Sequence, residues 1–514
     1  MQPILPNAYP FDLPLHGSTA SRLLERAALA SLPPHTLMQR AAASIAALAR
    51  ALAPHARRIW IACGPGNNGG DGLLAAALLQ RQLPQTHVAV SWHGDEAGLP
   101  DDARHALERA RASGIDFCTE PPADFDLGID AMLGLGSRGL GSGPMADWMR
   151  MLQQTRSSVL CVDLPSGLGT DSGAWCNPFE VRPRGPRHTL SLLTLKPGLF
   201  TADGRDAAGQ VWLDRLGIDP ADAEPDAWLC AMPPSNAPER RLRHALHKGS
   251  HGDLLVLGGQ HGAIEGASMI GAALLAARAG LQAGAGRVYV GLLGAGPASP
   301  ALDPLWPELM FRPAQSSAEG ELARKATTVC GCGGGTAVRS VLAALIEHSP
   351  RLVLDADALN EIAADTAWRR RLAGRQALGL HTILTPHPLE AARLLDCSSA
   401  EVQSNRLAAA QRLSQELQCT IVLKGSGSVI AAPGRPTLIN PTGNALLATA
   451  GTGDVLAGMV GSYWAQADAV GTAEPALQAA RSAAWDHGAL ADNWPEGRGL
   501  RAGELLAGIT PWRG

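Results

Sequence analysis

Apolar runs of four to eight residues alternate with longer Ala- and Leu-rich stretches over most of the chain. IWIAC (59–63), HVAVSW (87–92), DLGIDAML (126–133) and SVLCVDLP (158–165) predict strands, and segments near 36–53, 71–83, 101–113 and 144–155 predict helices. Such alternation predicts a parallel sheet wrapped by helices. HTLSLLTL (188–195) and GQVWLD (209–214) lack an obvious helix between them and predict an edge hairpin. The texture then changes. DPADAEPDAWLCAMPPSNAPERR (219–241) is rich in Pro, Asp and Ala and has no period, so a linker is expected over 219–243. A second alternation starts at DLLVLGG (253–259) and continues through RVYVGLL, TTVCGCGG, RLVLDADA, HTILTPHP and TIVLKGSG, ending in a largely helical part from about 452 to 495. The expected organisation is two α/β domains, 1–218 and 244–514, the first a Rossmann-like three-layer αβα sandwich.

Composition narrows the function classes. A 514-residue chain with 46% apolar residues can build more than one core. Its net charge of −4 argues against a general nucleic-acid binder. Nine scattered cysteines form no CxxC pair pattern, which disfavours zinc and a disulfide framework and suits a reducing, cytoplasmic setting. No signal peptide or membrane span is expected. Of 43 basic residues only four are lysine: Lys196, Lys248, Lys325 and Lys424. A chain that otherwise writes arginine keeps lysine where a compact ammonium is required, or as remnants of drift.

Chemistry-bearing residues gather at strand ends, where open parallel sheets bind ligands. GPGNNGGDG (64–72) follows a strand and precedes a helix. Glycines there allow close approach and positive φ, and expose N–H groups to an anion. It is not a Walker loop, since no Lys-Ser/Thr follows. In an ordinary dinucleotide turn Asp71 would repel the pyrophosphate, although Asp95 could serve as the ribose acid. Asp130 closes one strand and Asp163 the next, followed by Ser166. Each alone reads as a strand-end cap. Together, Asn68, Asp130 and Ser166 offer oxygen ligands to a hard cation, and Asp163 a general acid or base.

GPGNNGGDG, DAMLGLGSRG and VDLPSG, in this order and spacing, resemble the NAD(P)H-hydrate epimerases over roughly residues 15–218. The resemblance implies that Asn67, Asn68, Gly69, Gly70 and Asp71 hold a hydrated nicotinamide nucleotide. It implies that Gly134, Leu135, Gly136, Ser137, Arg138, Gly139 and Leu140 contact its phosphates. Asn68, Asp130 and Ser166 would bind potassium, and Asp163 would catalyse interconversion of the R and S hydroxyl at C6. Lys196, in LTLKPG, matches a lysine-glycine step of that family and is given no role. LMQRAAASIA matches the family's first core helix, with Gln39 and Ala42 where an acid and a glycine are common.

In the second half, ATAGTGDVLAG (448–458) opens a helix with Gly451, Thr452 and Gly453, making an anion hole. Asp454, in the first turn, is placed as a base, or is an ordinary first-turn acid. Lys424 ends a strand in VLKGSGS and reads as a phosphate contact. His387, in LTPHPLE, is a site residue or a loop histidine. Asp355, Asp357 and Asn360 are metal or ligand contacts, or caps. Cys330 and Cys332 are expected to be small buried residues.

HKGSHGDLLVLGG, EGAS, CGCGGG, LDADALN, TPHPLE, VLKGSGSVI, TGNALLATAGTGDVLAG and AAWDHGALAD resemble the ADP-dependent NAD(P)H-hydrate dehydratases, of ribokinase-like fold, from about 244 to 508. The resemblance implies phosphoryl transfer from ADP to the C6 hydroxyl, then elimination to NAD(P)H, giving AMP and phosphate. Asp454 would be the base and a substrate contact. Ala267, Gly335 and His387 would contact the hydrated nucleotide; Lys424, Gly425, Ser426, Gly427, Ser428 and Gly453 would hold ADP, with Mg²⁺ as a further candidate. The loop reads GCGGG where GPGLG is usual, and Leu389 replaces a common glycine. The expected substrates are hydrated NADH and NADPH, with no nucleic acid or membrane partner and a homo-oligomeric assembly. The competing readings are a ribokinase-like small-molecule kinase carrying a non-catalytic N-terminal nucleotide-binding module, and a classical dehydrogenase.

Overall fold

The computed structural model describes all residues except 6–7, 137–138, 182, 221–222, 234–243, 263–267, 295–300 and 513–514. The chain forms two compact units, Met1–Ala8 with Pro14–Trp228, and Tyr9–Leu13 with Leu229–Gly514.

The first unit holds an eight-stranded sheet in the order Gln2–Pro3, Gln210–Asp214, Arg187–Leu192, Ser158–Val162, Leu127–Ala131, Arg58–Cys63, His87–Trp92, Asp116–Phe117. All neighbours are parallel except the Gln2–Pro3 edge. Strand alternation sends side chains to two cores. Ile59, Ile61 and Cys63 pack with the helices Thr36–Leu52, Asn67–Gln82 and Asp101–Ala112. Trp60 and Ala62 pack with Pro144–Gln154 on the other face. The result is a three-layer αβα sandwich. The chain builds outward from Arg58–Cys63 in one direction, then from Leu127–Ala131 in the other. These two neighbouring strands are the switch point, and a crevice opens beyond their carboxyl ends.

Two expectations need correction. Arg187–Leu192 and Gln210–Asp214 pair in parallel, not as a hairpin. The connection crosses over through the helix Gly204–Ala208, which is too short to print a helical period. The segment expected as a linker also contains a strand, Ala227–Leu229, three residues long and equally silent in the pattern.

The second unit has its sheet in the order Met310–Phe311, Arg287–Leu292, Asp253–Gly258, Thr327–Cys330, Arg351–Leu354, His381–Leu384, Thr420–Leu423, Val429–Ala431, Leu438–Ile439. The first seven run parallel and the last two are antiparallel. The buried helix Thr452–Ala469 lies over the central strands, between Ile270–Gln282 and Pro475–Asp492. Its switch point lies between Asp253–Gly258 and Thr327–Cys330. Cys332, Asp355, Thr385 and Lys424 follow four successive strands. No helix among the described residues is long and apolar enough to cross a membrane.

Candidate active sites

In the first unit the crevice deepens into a cavity of about 420 Å³, a size that suits a small-molecule ligand. GPGNNGGDG reaches it in an unexpected way. The helix begins at Asn67, so Asn67, Asn68, Gly69, Gly70 and Asp71 are its first turns and not a loop before it. None of these glycines has positive φ. They are small because the packing is close. A Cβ on Gly64 would stand 2.0 Å from the Met132 carbonyl oxygen, and one on Gly69 would stand 1.9 Å from that of Gly64. The turn is thereby pressed onto the neighbouring strand end, and the side chains of Asn67, Asn68 and Asp71 face the cavity.

Gly134, Leu135 and Asp163 line the same cavity. Asp163 adopts φ 65, a strained conformation for a non-glycine residue. Its carboxylate accepts the Leu192 N–H at 3.0 Å and pairs with the Lys196 ammonium, which also donates to the Leu192 carbonyl at 2.7 Å. Lys196 is 1% exposed, so Asp163 is its counter-charge inside the protein. Sequence reasoning gave Lys196 no role; its rarity was the signal. Glu25 and Arg22, from the helix Ser18–Ser31, also line the cavity and were missed altogether. Burial pushes the carboxyl of Asp71 well up, with Asp163, Glu25 and Asp102 adding to it.

Asp130 and Ser166 lie fully buried. Ser166 Oγ donates to Asp130 Oδ1 at 2.6 Å, its N–H donates to Oδ2 at 2.8 Å, and Leu133 N–H donates to Ser166 Oγ at 2.9 Å. Burial raises the Asp130 carboxyl, against the bonds from Ser166 and Met132. Asn68 packs beside Gly134, and its amide nitrogen is buried with no hydrogen-bond partner. Asp130, Ser166 and Asn68 all carry oxygen atoms of the kind a hard cation takes as ligands. Gly136 and Gly139 take positive φ, and Leu140 N–H is held by Asn177 Oδ1 at 2.9 Å, but none of the three lines the cavity. Ser137 and Arg138 lie outside the described residues. Asp95 sits away from any such role, its side chain accepting from Ala97 N–H at 3.1 Å to cap a short turn.

The second unit gathers a tighter cluster. Lys424 Nζ stands 2.8 Å from Asp355 Oδ1, which also accepts from Thr385 Oγ1 at 2.7 Å. Cys332 Sγ lies 3.9 Å from Asp355 Oδ2, and acceptor atoms of Cys332, Asp355 and Asp454 all fall within 4.8 Å of one another. Cys332 is buried as expected, yet it stands at the centre of the site; burial, with Asp355 and Asp454, raises its thiol. Gly451 caps the helix Thr452–Ala469 at φ 90, leaving first-turn N–H groups that no helix can satisfy internally. A Cβ on Gly453 would meet Lys424 Nζ at 3.4 Å, so the ammonium sits beside this N-terminus. Burial, then the Asp355 charge, lifts Asp454 to about 6. Burial alone would depress Lys424, but Asp355 and Glu390 outweigh it and hold the ammonium charged.

His387 plays a more structural part than expected. Its Nδ1 accepts the N–H groups of Leu389 and Glu390, capping the helix Pro388–Leu394, and Nε2 faces Glu390 Oε1 at 3.2 Å. Its ring is half exposed and so can still meet a ligand. Burial lifts Glu390 to about 7. Gly335 takes φ 51; its N–H donates to Asp357 Oδ2 at 2.8 Å, and Gln260 fills the space a Cβ would need. Asn360 instead accepts from Arg393. Ala267 lies outside the described residues.

The Lys424, Gly425, Ser426, Gly427 and Ser428 loop is held from below by Arg406, 1% exposed, which donates to the Leu423 and Lys424 carbonyls at 3.2 and 3.1 Å. Gly425, at φ 140, leaves room for that guanidinium. Arg406→Leu strands both carbonyls and is expected to cost about 2–4 kcal/mol, read as a lower urea midpoint for the second unit.

Two family models match the chain: the NAD(P)H-hydrate dehydratases over residues 254–510 and the YjeF-related protein N-terminus over residues 34–198. The bifunctional NAD(P)H-hydrate repair enzyme of Escherichia coli K12 is 33% identical over 457 residues, covering 86% of this chain and 83% of its own. That of Coxiella burnetii is 33% identical over 515 residues, covering 96% and 98%. An ADP-dependent (S)-NAD(P)H-hydrate dehydratase of Neisseria meningitidis is 40% identical over 267 residues, covering 52% of this chain and 84% of its own.

Proposed function

The chain belongs to the bifunctional NAD(P)H-hydrate repair enzymes, and from that premise we propose how its two sites divide the repair. The first unit epimerises the R and S forms of hydrated NADH and NADPH. The second, of ribokinase-like class, dehydrates the S form at the expense of ADP. The observation that supports this is the presence of two clusters in one chain: an acid-lined cavity at the first switch point, and Asp454 beside a helix N-terminus and Lys424 in the second unit. The kinase and dehydrogenase alternatives have no comparable support along the chain.

In the second unit Asp454 takes the proton of the C6 hydroxyl as its oxygen attacks the β-phosphorus of ADP, and AMP leaves. The first-turn N–H groups and Lys424 stabilise the charge that spreads over the transferring group. The C6–O bond then breaks, phosphate departs, and loss of a proton from C5 restores the ring double bond. Gly425, Ser426, Gly427 and Ser428 hold the nucleotide phosphates; Gly335 and His387 meet the hydrated ring. Mg²⁺ would neutralise phosphate charge when bound.

In the first unit Asn67, Asn68 and Asp71 hold the ring end of the substrate, the 134–140 loop its phosphates, and Asp163 works at C6. Potassium, held by Asn68, Asp130 and Ser166, would supply a fixed positive charge under the loop. Asp130→Asn is expected to abolish stimulation of epimerisation by potassium while leaving dehydration of the S form unchanged, measured as initial rates in potassium against sodium salts. All nine cysteines are free thiols, which supports a cytoplasmic setting.

The test of the whole reading is a mixture of R and S hydrated NADH with ADP and potassium. Recovery of reduced-nicotinamide absorbance from the full pool, faster than spontaneous epimerisation, is expected. Arrest at the S fraction would overturn the epimerase half, and no recovery would overturn both.

A further inference from the structure

This inference rests on the epimerase reading and deepens it. C6 carries both the hydroxyl and the ring nitrogen, so it can be inverted by loss of the hydroxyl from one face of the ring and addition of water to the other. On that route a proton is given on one face and taken on the opposite one, a task that two groups can divide; Asp163 supplies one. We propose that Glu25 is the second acid–base residue of the epimerisation, acting with Asp163 on the same ring carbon.

Glu25 lies on the helix Ser18–Ser31, ahead of the stretch matched by the family model. It lines the cavity that Asp163 lines from the far end of a strand, so the two carboxyls come to one ligand space from separate elements. Asn67 lines the same cavity beside it. The charged groups around it are Asp163, Lys196 and Arg22, with Asp71 and Asp102 in the same cavity. Burial raises the Glu25 carboxyl and Asp163 adds to this, while Lys196, Arg22 and Asn67 oppose it. Glu25 therefore keeps its proton to higher pH than an ordinary glutamate. Asp163 is instead tied to the Lys196 ammonium. Two carboxyls in unlike environments, one lifted by burial and one ion-paired to a lysine, are the arrangement that divides acid from base.

The step balances without a co-reactant. The ring-nitrogen lone pair forms N1=C6 as the C6–O bond breaks, and Glu25 gives its proton to the departing hydroxyl, which leaves as water. Water then adds to C6 from the opposite face, the N1=C6 pair returns to nitrogen, and Asp163 takes the released proton. The proton carried from Glu25 to Asp163 returns through solvent, and the reverse epimerisation exchanges the roles.

The test uses the full-length protein, purified R-form hydrated NADH and no ADP, with loss of R followed chromatographically across pH. Glu25→Gln is expected to lower kcat a hundredfold or more, with KM within about threefold and the alkaline limb of the kcat profile removed. Glu25→Asp is expected to restore part of the rate. The same Glu25→Gln sample should dehydrate the S form with ADP at the wild-type rate, which shows that the chain is folded. A kcat within threefold of wild type, a loss confined to KM, or an unchanged pH profile would overturn the proposal. If wild type itself fails to consume R, the epimerase reading falls, and this assignment with it.

Discussion

Asp454→Asn is expected to lower the dehydration rate about a thousandfold, with epimerisation of the R form untouched. Asparagine is nearly isosteric and keeps the first turn of the helix, so the anion hole and Lys424 should stay in place. What it removes is the group that accepts the hydroxyl proton. The wild-type pH profile carries the same signature. The Asp454 carboxyl titrates at about 6, and a base works only when deprotonated. Dehydration should therefore rise with pH through about 6 and fall roughly tenfold per unit below it. Single-turnover rates with the S form and saturating ADP check both statements. A variant that retains a tenth of the rate, or a wild-type profile flat from pH 5 to 7, would remove Asp454 as the base.

The second large effect is at Asp163. Asp163→Asn is expected to reduce epimerisation by two to four orders of magnitude, and it carries a structural complication. Lys196 is 1% exposed and ion-paired to Asp163, so the substitution strands an ammonium inside the protein. Breaking one side of such a pair costs about 3–5 kcal/mol. Lost activity alone would then be ambiguous. The double variant Asp163→Asn with Lys196→Met removes the stranded charge and should recover much of the melting temperature without recovering epimerisation. Recovery of both would make Asp163 a structural residue only.

Much of this architecture was legible from pattern alone. Apolar runs such as HVAVSW are long enough to print both ends of a strand, and strand ends in a parallel sheet are where ligands sit. That reasoning put Asp130, Asp163 and Lys424 at strand ends and Asp454 in the first turn of a helix, where the structure also has them. What stayed hidden depends on three-dimensional approach. Glu25 sits on a helix with only Ser21 and Ala28 buried and with Leu23 exposed, so its apolar positions do not mark the face that meets the cavity. The glycines at 64–72 looked like a loop because sequence shows their size and not the Met132 carbonyl they must clear. The pairing of Lys196 with Asp163 spans 33 residues and follows from the parallel pairing of Ser158–Val162 with Arg187–Leu192, which no local pattern shows. Cys332 was correctly read as buried; that it stands beside Asp355 and Asp454 could be read only from the loop's path past Asp355.

The second unit is not a continuous stretch of chain. Tyr9–Leu13 belongs to it, and Asp12 forms a two-bond ion pair with Arg481 and accepts the Ala231 N–H at 2.7 Å. On the ribosome these partners are made far apart in time. Asp12 and Arg481 are separated by 469 residues, or roughly 20–90 s of synthesis at ordinary elongation rates. The first unit can close once Trp228 has emerged, while Tyr9–Leu13 wait for the last helices to appear. Completion of the second unit is therefore timed by the end of translation, and a message truncated before codon 481 would yield a first unit still carrying an unclaimed segment that includes Phe11, 63% exposed even in the finished protein.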